Sequence, residues 1–323
     1  MKFVTNYYNL NKKQEDIDFV NVNMMGDSKL FVNPILLEES ANEKFFSLGK
    51  RKVESFFKVV FDLYATENKE QALQNMFDHS KESNANHFGF SEKESRGNGA
   101  SKHSLSNLFD TVLDTGSLRR DIMAQPVSIL VFAHDFGPDR MSDLTVSILK
   151  KEFVEYTLAE AKKLNIPIEP NKVSYGEYWD YETASWKELT ERWIKGADGK
   201  KLILTPKQIV SHKYGFSVDD YIRKVVWVWR KDYHVKNKTS LAQPKYDEYG
   251  ELFYDAPTVE TLRTEEVRKP YAGREGKWKL YALDMTLKNP ELYTQYFGNT
   301  TANKTNKNRP LNDKELTDII KKG

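Results

Sequence analysis

The sequence predicts an α/β or α+β protein, a small mixed sheet with helices packed on it, in one main domain followed by an irregular C-terminal extension. Two stretches carry the prediction. In residues 125–164, QPVSILVFAHDFGPDRMSDLTVSILKKEFVEYTLAEAKKL, the hydrophobic period changes partway along. Val127, Ile129, Val131 and Phe132 form a continuous apolar run between Pro126 and the group Asp135, Gly137 and Pro138, which reads as a buried strand over 127–134. From Ser142 onward, Val146, Leu149, Phe153, Thr157, Ala161 and Leu164 recur three or four residues apart until Pro167, the spacing of a helix. The second stretch is 201–205, an apolar run that follows the turn residues Asp198 and Gly199 and reads as another buried strand.

The remaining elements follow in order. Residues 29–37, KLFVNPILL, are apolar but broken by Pro34, which suits an edge strand or an extended arm. Ser40 and Glu43 make a capping box ahead of Phe45, Leu48, Val53, Phe56, Phe57, Val60 and Tyr64, a long core helix. A short helix over 69–78 precedes a polar loop over 79–102. Leu105, Leu108, Val112 and Leu113 then mark a helix that Gly116 ends. Residues 165–181 read as an acidic loop, and Ser185 with Glu188 as the cap of a helix bearing Trp186, Leu189 and Trp193. Ser217 and Asp220 open a helix with Tyr221, Ile222, Val225, Val226 and Trp229 on one face and Arg223, Lys224, Arg230 and Lys231 outward. Beyond it, 233–279 is polar and rich in Tyr and Asp, 278–287 reads as a final strand and 290–297 as a short helix. A polar linker at 298–309 leads to a terminal helix capped by Asn312 and Glu315. The division this implies is a main domain with an N-terminal arm over 1–232 and an extension over 233–323.

Composition removes several chemistries. With 49 basic and 47 acidic residues the formal charge is +2, so the whole chain carries no electrostatic footprint of a nucleic-acid or membrane binder. The absence of cysteine excludes disulfides, thiolate catalysis, iron–sulfur clusters and Cys-type zinc sites. No run approaches the ~18 apolar residues of a membrane span, and the first 25 residues lack the apolar core of a signal peptide. A cytoplasmic protein without membrane contact is expected. His79, His87, His103, His134, His212 and His234 include no pair at the helical spacing of a zinc enzyme. His134, on the apolar run, reads as a satisfied interior or edge histidine, and His87, in the polar loop, as the candidate general base.

Three places carry phosphate-compatible chemistry. Asp135, Asp139 and Asp143, with Arg140 among them, supply oxygens suited to a hard cation, Mg²⁺ or Mn²⁺. The same residues are also what a Pro-containing turn and a helix N-terminus require. Arg96, Gly97, Gly99 and Lys102 precede a helix and can cradle phosphate, although without Walker or dinucleotide spacing. Lys207 lies just beyond the second apolar run.

This layout resembles the restriction-endonuclease-like folds: a helix bearing an acid, a strand ending in Asp, and a later strand presenting an acid and, two residues on, a lysine. Glu43 or Glu54, Asp135 or Asp139, and Lys207 take those places, while Thr205 stands where the paired acid belongs. The turn from Gly137 to Asp143, after a loop like Asn86 to Gly99, is also similar to uncharacterised bacterial proteins of phage-defence and restriction loci. The resemblance implies a metal-dependent DNA nuclease, a hydrolase in antiviral defence. Asp135, Asp139 and Asp143 would hold Mg²⁺ or Mn²⁺, Lys207 would position water, and Arg96, Gly97, Gly99, Lys102 and Arg140 would hold phosphate. The alternative is a non-catalytic subunit or sensor that binds nucleic acid or a partner protein from the same operon; a nucleotide-binding enzyme using residues 96–102 is a third possibility. A homodimer is the default expectation for oligomeric state.

Overall fold

In the computed structural model, residues 2–37, 45–66, 68–79, 84–89, 98–115, 125–302 and 309–322 are described. The capping box at Ser40 and Glu43 lies outside them. Helix and strand both contribute, in small sheets with helices packed on them, as the sequence predicts. The first helices are α1 (Gly49–Ala65), α2 (Lys69–Phe77) and α3 (Asn98–Thr115). On α1, Val53, Phe56, Phe57, Val60, Phe61 and Tyr64 are buried, the face the 3.6-residue spacing marks, and α2 and α3 pack against this helix.

The run at 127–134 is not a strand. It forms α4 (Pro126–Phe132), a seven-residue helix buried on every side, with Pro126 in its first turn. A continuous apolar run has no period with which to tell a buried strand from a buried helix, and proline at the helix start supplies a ready-made φ. The next helical stretch begins four residues before Ser142. It divides at Leu149 into α5 (Pro138–Ile148) and α6 (Lys150–Lys163).

Residues 165–195 also differ from expectation. In place of a loop and a helix they form a long antiparallel hairpin, β2 (Glu169–Asp180) and β3 (Ser185–Lys195), with Trp179 opposite Trp186. Aromatic and β-branched side chains at 173, 175, 178, 179, 186 and 193 favour a pleated, half-buried surface. Glu188, matching a capping-box pattern, instead accepts a hydrogen bond from Ser174 across the ladder. The expected strand at 201–205 is shorter: only β4 (Lys201–Leu202) pairs, with β3. Two further ladders are antiparallel, β1 (Phe31–Val32) with β5 (Val210–Ser211) and β6 (Gln243–Tyr246) with β7 (Leu252–Asp255). An isolated parallel bridge joins Ser28 to Phe88.

After β5, a continuous helix α7 comprises Val218–Tyr221, a π-helical segment Ile222–Val226 and Trp227–Lys236. The Ser217 hydroxyl caps it by accepting the Asp220 N–H at 3.2 Å. Then come α8 (Val259–Leu262, continued by a π-helical segment Arg263–Arg268), α9 (Lys277–Lys288), α10 (Pro290–Ala302) and α11 (Asp313–Lys322). The expected strand at 278–287 is thus helix α9, and the first residues of the expected linker, 298–302, belong to α10. The Asn312 and Glu315 capping box is present, each side chain accepting the other's backbone N–H at 2.9 Å. Buried side chains from Val4 to Ile320 form one contiguous core. No helix among the described residues is long and apolar enough to cross a membrane.

The hairpin joins the helices through an aromatic cluster. Phe56 of α1 meets Trp179 and Trp186 edge-on, with ring centroids 5.0 and 5.5 Å away, and Trp179 is fully buried. Trp179→Ala is expected to cost about 3–5 kcal/mol, the range for emptying a large aromatic site. Urea unfolding of the two proteins measures it; a loss near zero would mean the hairpin does not anchor the core.

Candidate active site

The connection between α4 and α5 is short and turns sharply. Ala133 is extended (φ −79°, ψ 120°), Asp135 is left-handed (φ 57°), and Gly137 is extended ahead of Pro138. Asp tolerates the left-handed region better than most residues, because its short polar side chain bonds locally. The turn places Nδ1 of His134 2.8 Å from Oδ2 of Asp135.

Gly276, at the start of α9, packs on the His134 ring. A Cβ built on it would lie 2.4 Å from His134 Cδ2, and its own φ is 63°, so both space and backbone require glycine. One turn into α9, Lys279 reaches back to donate to the Ala133 carbonyl at 2.6 Å. Helix α3 also lines this space, with His103 and Asn107. Together with Arg274 these groups line a cleft of about 600 Å³.

Asp110 and Glu275 line the cleft as well, so three carboxylates, with Asp135, face the two cations Arg274 and Lys279. Burial pushes the Lys279 amine down to about 8, and the Asp135 carboxylate opposes the shift. Outside the cleft lining, burial also lowers the Arg140 guanidinium, against the pull of Asp143 and Asp135. Arg274 lies over the Tyr271 ring, 5.7 Å from its centroid. With its proton on Nδ1 facing Asp135, His134 has Nε2 as a base, oriented by a carboxylate as in acid–base dyads. The site therefore combines an oriented imidazole, a lysine that exchanges protons near neutral pH, and an arginine suited to a planar anion.

Of the residues expected from sequence, Asp135 lies in this cleft and the others do not gather around it. Asp139 is exposed in the first turn of α5, and Asp143 is one turn further on. Both act on buried Tyr214, whose hydroxyl donates to the Val32 carbonyl at 2.6 Å. Among the described residues no group of three or more His, Asp or Glu is arranged to hold a metal ion. Asp135 precedes the helix across a left-handed turn, which separates it from the i, i+4 pair on α5. Lys207 lies 2.8 Å from Asp313 and bonds the Gln14 carbonyl at 3.4 Å, tying α11 to the N-terminal arm. His87 is buried and left-handed (φ 53°), its carbonyl accepts the Ser28 N–H at 2.8 Å, and burial lowers its pKa. Lys102 pairs with Asp78 at 2.8 Å, joining α3 to α2. Gly99 is in the first turn of α3; Arg96, Gly97 and Glu43 lie outside the described residues. Glu54 is 3.9 Å from Lys50 on α1. His134 lies in the turn beyond α4, not on a buried strand, and lines the cleft; sequence reasoning passed over His103, Arg274 and Lys279. The one local signal was the His134–Asp135 pair ahead of Gly137 and Pro138.

Gly276→Ala is expected to lose about 2–4 kcal/mol through left-handed strain and the clash with His134, read as a lower melting temperature. An unchanged melting temperature would show that the α9 start can withdraw from the ring. A pH effect follows from the two buried lysines, Lys279 and Lys150, both held at about 8 in the fold against 10.5 ordinarily. Between these values the unfolded chain binds more protons, so stability rises with pH from about 8 toward 10. Lys279→Met is expected to remove about 1–2 kcal/mol of that rise; an identical pH slope in urea unfolding of the variant would refute the assignment.

No curated protein and no solved structure matches the chain. A family model described as a domain of unknown function, DUF8370, matches residues 9–217, a span that contains α3, the α4–α5 turn and the β2–β3 hairpin and stops before α9. The match covers more than half of the 323 residues, and the chain belongs to this family.

Proposed function

We propose that the cleft between α3, the α4–α5 turn and the start of α9 cleaves phosphodiesters. The observation that carries this reading is the contact of His134 with Asp135, held in place by Gly276 and flanked by Lys279 and Arg274. Arg274 offers a forked donor to the non-bridging oxygens of a phosphodiester. Nε2 of His134 takes the proton of the attacking hydroxyl, and Asp135 stabilises the imidazolium that forms. Lys279 supplies positive charge where negative charge builds up on phosphorus-bound oxygens. DNA as substrate, Mg²⁺ or Mn²⁺ as cofactor and a role in antiviral defence are the expectation from the sequence, which the plasmid and metal arms of the test below address. Asp135 is engaged by His134, and Asp139 and Asp143 lie away from the cleft, so no step of this mechanism is routed through a metal.

The test uses bis(4-nitrophenyl) phosphate and plasmid DNA, with magnesium, manganese or EDTA, on wild type and His134→Gln. The expected result is cleavage by wild type and a rate about 100-fold or more lower in the variant at unchanged melting temperature. Equal rates would remove His134 from the chemistry. No cleavage by wild type would favour the second reading, a non-catalytic partner-binding protein. That reading has its own support. In the β6–β7 hairpin, Tyr246, Tyr249, Leu252 and Phe253 are all exposed, and isolated two-stranded hairpins are marginal in water.

A further inference from the structure

We propose that the phosphodiester this cleft takes is single-stranded RNA, and that it is cleaved by transfer to the neighbouring 2′-hydroxyl between His134 and His103. The inference rests on the phosphodiester reading above. Two imidazoles line the cleft from different walls, His134 from the α4–α5 turn and His103 from α3. Each has one small polar neighbour, Asp135 at 2.8 Å and Asn107 at 3.0 Å. The other histidines are occupied by the fold. His79 binds Glu177 and stacks on Trp186, His87 is buried, His212 bonds the Lys29 carbonyl, and His234 is buried between Glu266, Thr239 and Arg230. A base and an acid on opposite sides of a phosphate are what an in-line displacement needs.

The nature of the nucleophile decides the substrate class. DNA carries no hydroxyl next to its phosphodiester, so its hydrolysis needs a positioned and activated water. RNA brings its own nucleophile, the 2′-oxygen, which distinguishes it chemically from DNA at each step. In the proposed reaction, Nε2 of His134 removes the 2′-hydroxyl proton as the 2′-oxygen forms its bond to phosphorus. The bond from phosphorus to the 5′-oxygen breaks, and the His103 ring donates a proton to that oxygen. Arg274 and Lys279 face the charge on the non-bridging oxygens. The products are a 2′,3′-cyclic phosphate and a free 5′-hydroxyl, with no net change in protons, and the two rings exchange protons with solvent before the next cycle. A cleft of about 600 Å³ has the size of a small-molecule site and admits a nucleotide step splayed from a single strand.

The experiment incubates the full chain, in EDTA, with a short single-stranded RNA, with the same strand carrying one 2′-deoxynucleotide, and with its all-DNA counterpart. His103→Gln and His134→Gln are run beside wild type. The expected result is RNA fragments ending in 2′,3′-cyclic phosphate by mass spectrometry, no cut at the deoxy position, intact DNA, and each variant slower by about 100-fold. Equal cutting at the deoxy position, or hydrolysis of bis(4-nitrophenyl) phosphate with RNA left intact, overturns the inference while the phosphodiester reading stands. Cleavage of none of these substrates, with or without metal, overturns both. The deoxy comparison uses wild-type protein alone, so it holds even where a variant folds poorly.

Discussion

The left-handed turn at Asp135 is the constraint on which the cleft depends. It joins α4, buried throughout, to α5, whose first turn is exposed, in only five residues. A connection that short leaves no freedom for the side chains it carries, so His134 and Asp135 meet as a consequence of the backbone path. The start of α9 then closes over the turn, Gly276 against the imidazole and Lys279 on the Ala133 carbonyl. Ser128 of α4 meets the Tyr293 hydroxyl of α10 at 2.9 Å, and Tyr221 of α7 meets Thr286 of α9 at 2.7 Å. These buried bonds fix α9 and α10 on α4, and through them the second wall of the cleft.

Buried charge elsewhere serves a different purpose. Lys52 of α1 pairs with Glu152 in the first turn of α6, and both side chains are largely buried. A buried pair adds little net stability, because two desolvation penalties offset its attraction, but losing either member leaves an uncompensated charge and costs several kcal/mol. The pair thus sets the register of α1 against α6 more than it stabilises either. Lys150 is different. It is 4% exposed, its Nζ sits above the bulge at Gly176, and Lys201, Glu177 and Glu188 act on it from the hairpin. Its burial is a standing cost that the α6–β2 packing offsets.

How much of this was legible depended on whether the sequence carried a period. The face of α1, the Ser217 cap and the Asn312–Glu315 box were readable because helical spacing and capping residues are local signals. The class, helices on small sheets, was readable for the same reason. α4 was not, since seven consecutive buried residues show no alternation of any kind. The β2–β3 hairpin was obscured by Ser185 and Glu188, which imitate a helix start while facing a partner strand. At the site, Asp135 and its turn were visible as polar groups after an apolar run. Its true neighbours were invisible: His103 is 31 positions before His134, and Gly276 and Lys279 are more than 140 after it. No local pattern encodes a meeting of three such distant segments.

The family match ends at residue 217, whereas Arg274, Gly276 and Lys279 lie beyond it. The cleft is therefore built from two kinds of material. His103, His134 and Asp135 come from the part the family model describes, and the groups that close over them come from helices outside it. In the proposed reaction the imidazoles would supply proton transfer, and the cationic groups that would bind a phosphate come from the start of α9. Recognition of an anion and the acid–base step would thus fall to separate segments, and the ring of His134, pressed against Gly276, is the physical point at which the two are joined.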